Sequence, residues 1–314
     1  MKKPFFRVTL LLILFSFTLQ LFSCAPAREA PSVETVREPR DLRLLVLGRD
    51  RAAGLADTVM IVSLRESDGD VRILQIPRDT YAEYTDRDYK KLNGALPALG
   101  LSGMKRFLSE AMGISIAYAV CLDLEAVEAL VDTVGGVSVE IPMEMHYSDP
   151  AQNLEIHFPQ GPRRLDGREA VLFLRYRSGY ADADLGRMNA QRQFLQSLLE
   201  ACQQVDGGVL TRAVWKLLPY VQTDLPIQEI LRLCGGDRGG EQVSLSAVTA
   251  PGAAVQGVSG AWYYSLNRAG VLRELKALMF SGEVLEESSF DPKHLFDREE
   301  NPDFHNVYIA PPMG

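Results

Sequence analysis

The chain has 314 residues, 46% of them hydrophobic and 24% charged, with a formal net charge of −8, a balance that suits one large domain or two small ones, with ample apolar content for a core. That acidic surplus argues against a general nucleic-acid binder, whose surface carries excess lysine and arginine. Any anion site in this chain has to be built locally from a few basic side chains.

The first residues, MKKPFFR, are basic, and the uncharged apolar run VTLLLILFSFTLQLFS leads from them to Cys24. Lys2, Lys3 and Arg7 hold that end on the cytoplasmic side, so the remainder is expected outside the cytoplasmic membrane, facing the wall. The run is at the short end of the roughly 17 to 25 residues that a membrane span needs. LFSC resembles a bacterial lipobox, with Leu21 first, Ser23 before the cysteine and an atypical Phe22. Residues 1–24 read either as a lipoprotein signal, with Cys24 the lipidated residue, or as an uncleaved anchor. Residues 25–41 read as a linker.

The strand signals come next: RLLVLG (43–48), DTVMIVSL (57–64) and DVRILQI (70–76), the last two joined by the turn-rich RESDGD. SGMKRFLSEAMG predicts a helix with Ser102 as N-cap and Gly113 as its stop. SIAYAVCL predicts a strand, DLEAVEALVDTVGG an amphipathic helix closed by Gly135 and Gly136, and VSVEI a further strand. From Pro142 to about Arg164 the sequence looks irregular. LDGREAVLFLRYR then predicts a buried helix, followed by helices over about 185–204, 208–219 and 226–234, a late strand QVSLSAV (242–248) and a closing helix in SLNRAGVLRELKALMF. Residues 283–314 are acidic and proline-bearing, without steady periodicity, and read as a disordered tail. The apolar strands are too continuous to be half exposed. The fold class expected for residues 42–282 is therefore α/β, a mixed central sheet with helices on both faces.

Motif by motif, several chemistries lose their support. Cys121, Cys202 and Cys234 are too few and too scattered for a disulfide framework; Cys121 reads as a buried strand residue, and a Cys202–Cys234 bond stays open. Histidines at 146, 157, 294 and 305 form no H-E-x-x-H, and there is no G-x-S-x-G, Walker A or G-x-G-x-x-G segment. What remains is a set of charged residues at strand and helix ends. Asp50 and Asp57 flank a short loop between two strands, a pair suited to a hard cation such as Mg²⁺ or Mn²⁺, whose shell is completed by water and phosphate. Arg78 and Asp79 end the next strand in QIPRDTYAEY. Arg175 and Arg177 leave a helix end, and Arg187 and Gln191 lie one turn apart on the following helix, so both can point the same way. Guanidinium forks match phosphate oxygens, and several around a metal ion suit a pyrophosphate. Taken singly, an R-x-R is more often a solvated helix end and a D-T a turn residue; the ensemble is what points to a site.

LGRDR, DTVMIVSL, IPRDTY, KLNGA, LVDTVGGVSVEI, LDGREAVLFLRYR and DLGRMNAQRQFL stand in an order and spacing that resembles the LytR-CpsA-Psr proteins of bacterial cell-wall assembly. VTAPGAA with WYYSLN resembles the end of that domain. The resemblance implies a three-layer α/β/α fold and a transferase that moves an anionic glycopolymer, of teichoic acid or capsule type, from a polyprenyl-pyrophosphate carrier to peptidoglycan. It implies Mg²⁺ ligation by Asp50 and Asp57, with Asp50 the better candidate for a base. Pyrophosphate binding falls to Arg78, Arg175, Arg177, Arg187 and Gln191, with Asp79 and Lys91 in support. A lipid tunnel beside AVLFL and FLQSLL is implied in the same way. Leu55 and Ala56 stand where family members commonly carry an arginine, and Ala190 stands in place of another. The same residues would also support hydrolysis of the lipid pyrophosphate, or binding of the lipid or polymer without turnover.

Overall fold

The computed structural model describes residues 41–49, 54–65, 70–84, 90–150, 153–180, 184–230, 244–257 and 260–278. At its centre is strand β1 (Asp41–Arg49), whose side chains alternate between two cores: Leu44 and Val46 enter one, Leu45 and Leu47 the other, and all four are buried. A strand covered on both faces gains nothing from polar alternation, which is why its sequence reads as one apolar run. Strand β2 (Ala56–Arg65) runs antiparallel to β1 and divides its side chains in the same way, Met60, Val62 and Leu64 against Val59 and Ile61.

Around this pair the sheet is completed by β3 (Val71–Ile76), β4 (Tyr118–Asp123), β9 (Val221–Thr223) and β10 (Leu245–Thr249), in the order β10-β3-β2-β1-β4-β9. β4 lies parallel to β1 and β10 parallel to β3, while β2–β3 and β4–β9 are antiparallel, so the sheet is mixed. Helices α1 (Ala95–Met112) and α6 (Arg268–Leu278) cover one face. On the other lie α2 (Leu124–Val134), α3 (Gly167–Arg175), α4 (Asp184–Gln204) and α5 (Gly207–Leu217). The three-layer α/β/α arrangement expected from the apolar strands is the one found.

Three local expectations need correction. Helix α1 is two helical stretches joined across a kink at Gly100, whose φ of 70° and ψ of 175° only glycine adopts readily, so the chain turns helical at Ala95, ahead of the expected start, and its second stretch begins beside Ser102; the expected stop at Gly113 holds, with left-handed backbone. The stretch from Pro142 to Arg164 is not irregular. It folds as strands β6 (Met145–Asp149), β7 (Leu154–Phe158) and β8 (Gly161–Leu165), β6 pairing with β7 and β8 with β5 (Val137–Ile141). The alternation of buried Leu154, Ile156 and Phe158 with exposed Glu155 and His157 is the period-2 signal that the polar composition obscured. A last hairpin, β11 (Gly252–Gln256) and β12 (Trp262–Leu266), was likewise not foreseen.

Cys121 is buried in β4, as expected, and burial raises its thiol pKa to about 11. Cys202 is a buried free thiol, and Cys234 lies outside the described residues. So do the segment ending at Cys24, the tail 283–314 and Asp50. The AVLFL and FLQSLL side chains divide between the core (Ala170, Phe173, Phe194, Leu198, Leu199) and partly buried positions against it (Leu172, Leu174, Leu195).

The placement of α3 matters most for the site, because it delivers the R-x-R pair. Its N-terminus is fixed twice. Asp166 and Glu169 form a reciprocal capping box, the Glu169 N–H donating to Asp166 Oδ1 at 2.8 Å, and the Gly167 N–H donates to Asp132 Oδ1 of α2, also at 2.8 Å. A Cβ at Gly167 would stand 2.3 Å from the Glu128 carbonyl oxygen, so α2 and α3 approach this closely only because residue 167 has no side chain. Gly167→Ala should therefore cost about 1–3 kcal/mol, the usual penalty of overpacking, read as a lower urea midpoint with unchanged slope; an unchanged midpoint would mean that the helices separate freely.

Candidate functional site

The site forms where β1 ends and β2 begins. The β1–β2 register slips there: Gly48 faces Thr58 but Arg49 faces Ala56, which leaves Asp57 as the extra residue of a β-bulge. A bulge breaks the ladder and re-aims the side chain that it carries. A Cβ on Gly48 would come within 3.1 Å of Thr58 Cβ, so the glycine lets the two strands close beside the bulge.

Three arginines from separate elements meet at Asp57. Arg78, just past β3, donates from Nη1 to Asp57 Oδ1 at 2.5 Å, and Arg177, beyond the end of α3, donates from Nη2 to Oδ2 at 2.8 Å. Arg187 of α4, only 3% exposed, holds Nη2 at 3.5 Å from the Asp57 carbonyl oxygen. One turn on, Gln191 presents Nε2 at 3.5 Å from Thr58 Oγ1. Arg175 closes α3 and is half-buried, and between it and Arg177 the chain leaves the helix through buried Tyr176 in extended backbone before turning at Gly179, whose φ is 79°. The chain thus bends two residues past Arg177.

Asp79 and Lys91, expected in a supporting role, lie side by side. The structure ties Asp79 more closely to Lys91, whose Nζ lies 3.0 Å from Asp79 Oδ1, than to Arg78, whose Nε lies 4.0 Å from Oδ2. Lys91 in turn stands over the Tyr263 ring, 5.9 Å from its centre, and that ring meets Tyr81 edge-on at 5.3 Å. Backbone bonds lace the same region together: the Tyr264 N–H donates to the Asp79 carbonyl, and the Tyr81 N–H donates to that of Tyr264. Hairpin β11–β12 is thereby the backing of the IPRDTY segment.

Two residues that sequence reasoning missed take part. Gln75 of β3, 2% exposed, donates from Nε2 to Gln191 Oε1 at 2.7 Å, which turns the Gln191 amide nitrogen toward Thr58. A glutamine inside an otherwise apolar strand, in RILQI, was the available signal. The second is Asp123, 2% exposed at the end of β4, which accepts from Nε and Nη2 of Arg49 at 2.8 Å. That pair fixes the end of β1 directly before Asp50.

Chemically this is a cluster of guanidinium groups with an internal counter-ion. Asp57 neutralises guanidinium groups that would otherwise repel one another, and a phosphate could take over those donors. Among the described residues no group of three His, Cys, Asp or Glu side chains could hold a metal ion. A Mg²⁺ ion asks for less, one or two carboxylates with water and phosphate completing the shell, and Asp57, a quarter exposed at the pocket, fits that requirement.

The LytR_cpsA_psr family model matches residues 24–279. A protein of Oceanobacillus iheyensis named polyisoprenyl-teichoic acid–peptidoglycan teichoic acid transferase TagU is 27% identical over 250 residues, 76% of this chain and 75% of that one. The regulatory protein MsrR of Staphylococcus aureus (strain COL) is 27% identical over 214 residues, 66% of this chain and 64% of its own length. Among solved structures, TagV of B. subtilis superposes with a TM-score of 0.63 at 20% identity, covering 81% of this chain and 99% of that one. TagT bound to LI-WTA gives a TM-score of 0.59 at 21% identity, covering 82% and 98%. These structures share the fold.

If Asp57 is poised for a ligand rather than bracing the fold, its removal should be mild. Arg177 is nearly half exposed and Arg78 a fifth, so solvent screens both pairs and Asp57→Ala should cost about 1 kcal/mol or less in chemical denaturation. A loss of about 3 kcal/mol or more, the range for breaking a buried pair, would mark Asp57 as structural.

Proposed function

The chain belongs to the LytR_cpsA_psr family, and from that premise we propose that it is a phosphotransferase that moves an anionic glycopolymer from a polyprenyl-pyrophosphate carrier to peptidoglycan. The observation that carries this reading is the convergence of Arg78, Arg177 and Arg187 on Asp57. The TagU relative, named for transfer of teichoic acid to peptidoglycan, supports the reaction class.

In this reading Arg78, Arg175, Arg177, Arg187 and Gln191 bind the pyrophosphate, with guanidinium N–H groups directed at its non-bridging oxygens. A hydroxyl of the wall polymer attacks the phosphorus that carries the glycan. The new P–O bond forms as the bond to the bridging oxygen breaks, and the lipid leaves as its monophosphate. The hydroxyl's proton passes to a carboxylate, for which Asp50 is the candidate. Charge grows on the departing phosphate, and the arginines already in place stabilise it without reorganising. Asp57, with Asp50, would hold Mg²⁺ or Mn²⁺, which when bound offsets phosphate charge. Asp79 and Lys91 keep Arg78 at the mouth of the sheet. Residues 1–24, through lipidated Cys24 or an uncleaved span, tether the domain at the outer side of the cytoplasmic membrane, where the lipid carrier and the wall are both in reach.

The test is an assay of labelled lipid-linked glycan with peptidoglycan fragments. Label joined to peptidoglycan is the expected product; label released with a free phosphate end would identify a hydrolase, and bound but unconverted lipid a binding protein. Arg175→Lys and Arg177→Lys keep the charge but lose the fork, so turnover should fall roughly a hundredfold while melting temperatures hold; near-wild-type turnover in both would remove the clamp. In calorimetry, Mg²⁺-dependent binding of pyrophosphate should be present in the wild type and lost in Asp57→Ala.

A further inference from the structure

Tyr180 was not among the residues singled out from sequence, yet it sits between the two arginine-bearing segments. It follows the turn at Gly179, and its side chain lies on α4 at Gly186, where any Cβ would come within 2.5–2.9 Å of Tyr180 atoms. On its other side the Tyr176 ring meets it edge-on, with centroids 5.5 Å apart. The next residue of α4 is Arg187, buried against Asp57. The side chain therefore packs against both a glycine of α4, the residue before Arg187, and a second tyrosine.

Its hydroxyl is buried and makes no hydrogen bond to any described residue. Buried hydroxyls are nearly always satisfied, because leaving one unpaired forfeits the bond that it had with water. A phenylalanine would fill the same space without that cost. Burial is the main influence on the group and pushes its pKa up to about 12, Tyr176 adds to this, and the positive charge of Arg187 pulls the other way. At neutral pH the hydroxyl therefore keeps its proton, which rules it out as a base and leaves it a donor.

We propose that the Tyr180 hydroxyl is held in reserve as a hydrogen-bond donor to an oxygen of the bound pyrophosphate, beside Arg187. This rests on the reading of the pocket as a pyrophosphate site, and it adds to the charged clamp one neutral, directional contact. Such a contact suits an oxygen already crowded by guanidinium groups, since it adds no further positive charge to repel them.

The experiment is Tyr180→Phe, with Arg177→Ala for comparison, measured by calorimetry against inorganic pyrophosphate and a short-chain polyprenyl pyrophosphate in Mg²⁺, together with melting temperatures without ligand. Removing an unpaired buried hydroxyl should leave the melting temperature equal or higher, while the affinity for both probes falls about tenfold, as for loss of a hydrogen bond to a charged group. Better folding with poorer binding is a combination that a purely structural tyrosine does not give. Unchanged affinity in Tyr180→Phe, with binding lost in Arg177→Ala, overturns the role of Tyr180 and leaves the pocket standing. A lower melting temperature with unchanged affinity assigns the hydroxyl to folding and overturns it too. No binding of either probe by the wild type overturns the pocket and this inference together.

Discussion

The carboxylate of Asp57 is what the rest of the site depends on. Guanidinium groups brought from β3, α3 and α4 to one place repel each other, and a protein that collects them needs something to hold them when no anionic ligand is bound. Asp57 does so with one oxygen for Arg78 and the other for Arg177, while its own backbone carbonyl faces Arg187. It can serve all three because it occupies a bulge, out of register with β1. A residue in the regular ladder would point its side chain into one of the two cores. An irregularity of one residue in a central strand thus decides whether four elements share a common centre.

The fold was legible wherever burial is two-sided. Runs such as LLVL and VMIV carry no amphipathic pattern, and that lack of pattern is what a strand between two helical layers requires. Small structures on the flank were harder. Only Met145 of β6 is buried, and in β8 charged Arg163 and Arg164 occupy strand positions, their side chains tied to Glu169 and to the Gly135 carbonyl. Such strands are set by tertiary partners distant in sequence, and local composition does not record them.

The site divides along a similar line. Asp57, Arg78, Arg177, Arg187 and Gln191 could be found because charged groups at the ends of apolar elements are conspicuous, and the geometry brings them together. Gln75, Asp123 and Tyr180 were not found, since each acts through a neighbour or by being buried, and one glutamine in a strand or one tyrosine in a loop has many ordinary explanations. The pairing of Asp79 with Lys91 was missed in detail for the same reason: sequence shows which charges lie near a strand end, but the choice among partners belongs to the loop's path.

The backing of the IPRDTY segment has a consequence for the order in which the molecule can assemble. Asp79 and Tyr81 are bonded through their backbones to Tyr264, and β3 pairs in parallel with β10, so a stretch close to the start of the domain is finished by strands close to its end. A chain emerging from its N-terminus can pair β1, β2 and β3 early, as antiparallel neighbours, and still lack the support that sets Arg78 and Lys91. Closing such long loops comes late and slows folding. The pocket is therefore completed only when nearly the whole domain is present, and a nascent or truncated chain would carry every one of the arginines without holding them around a common centre.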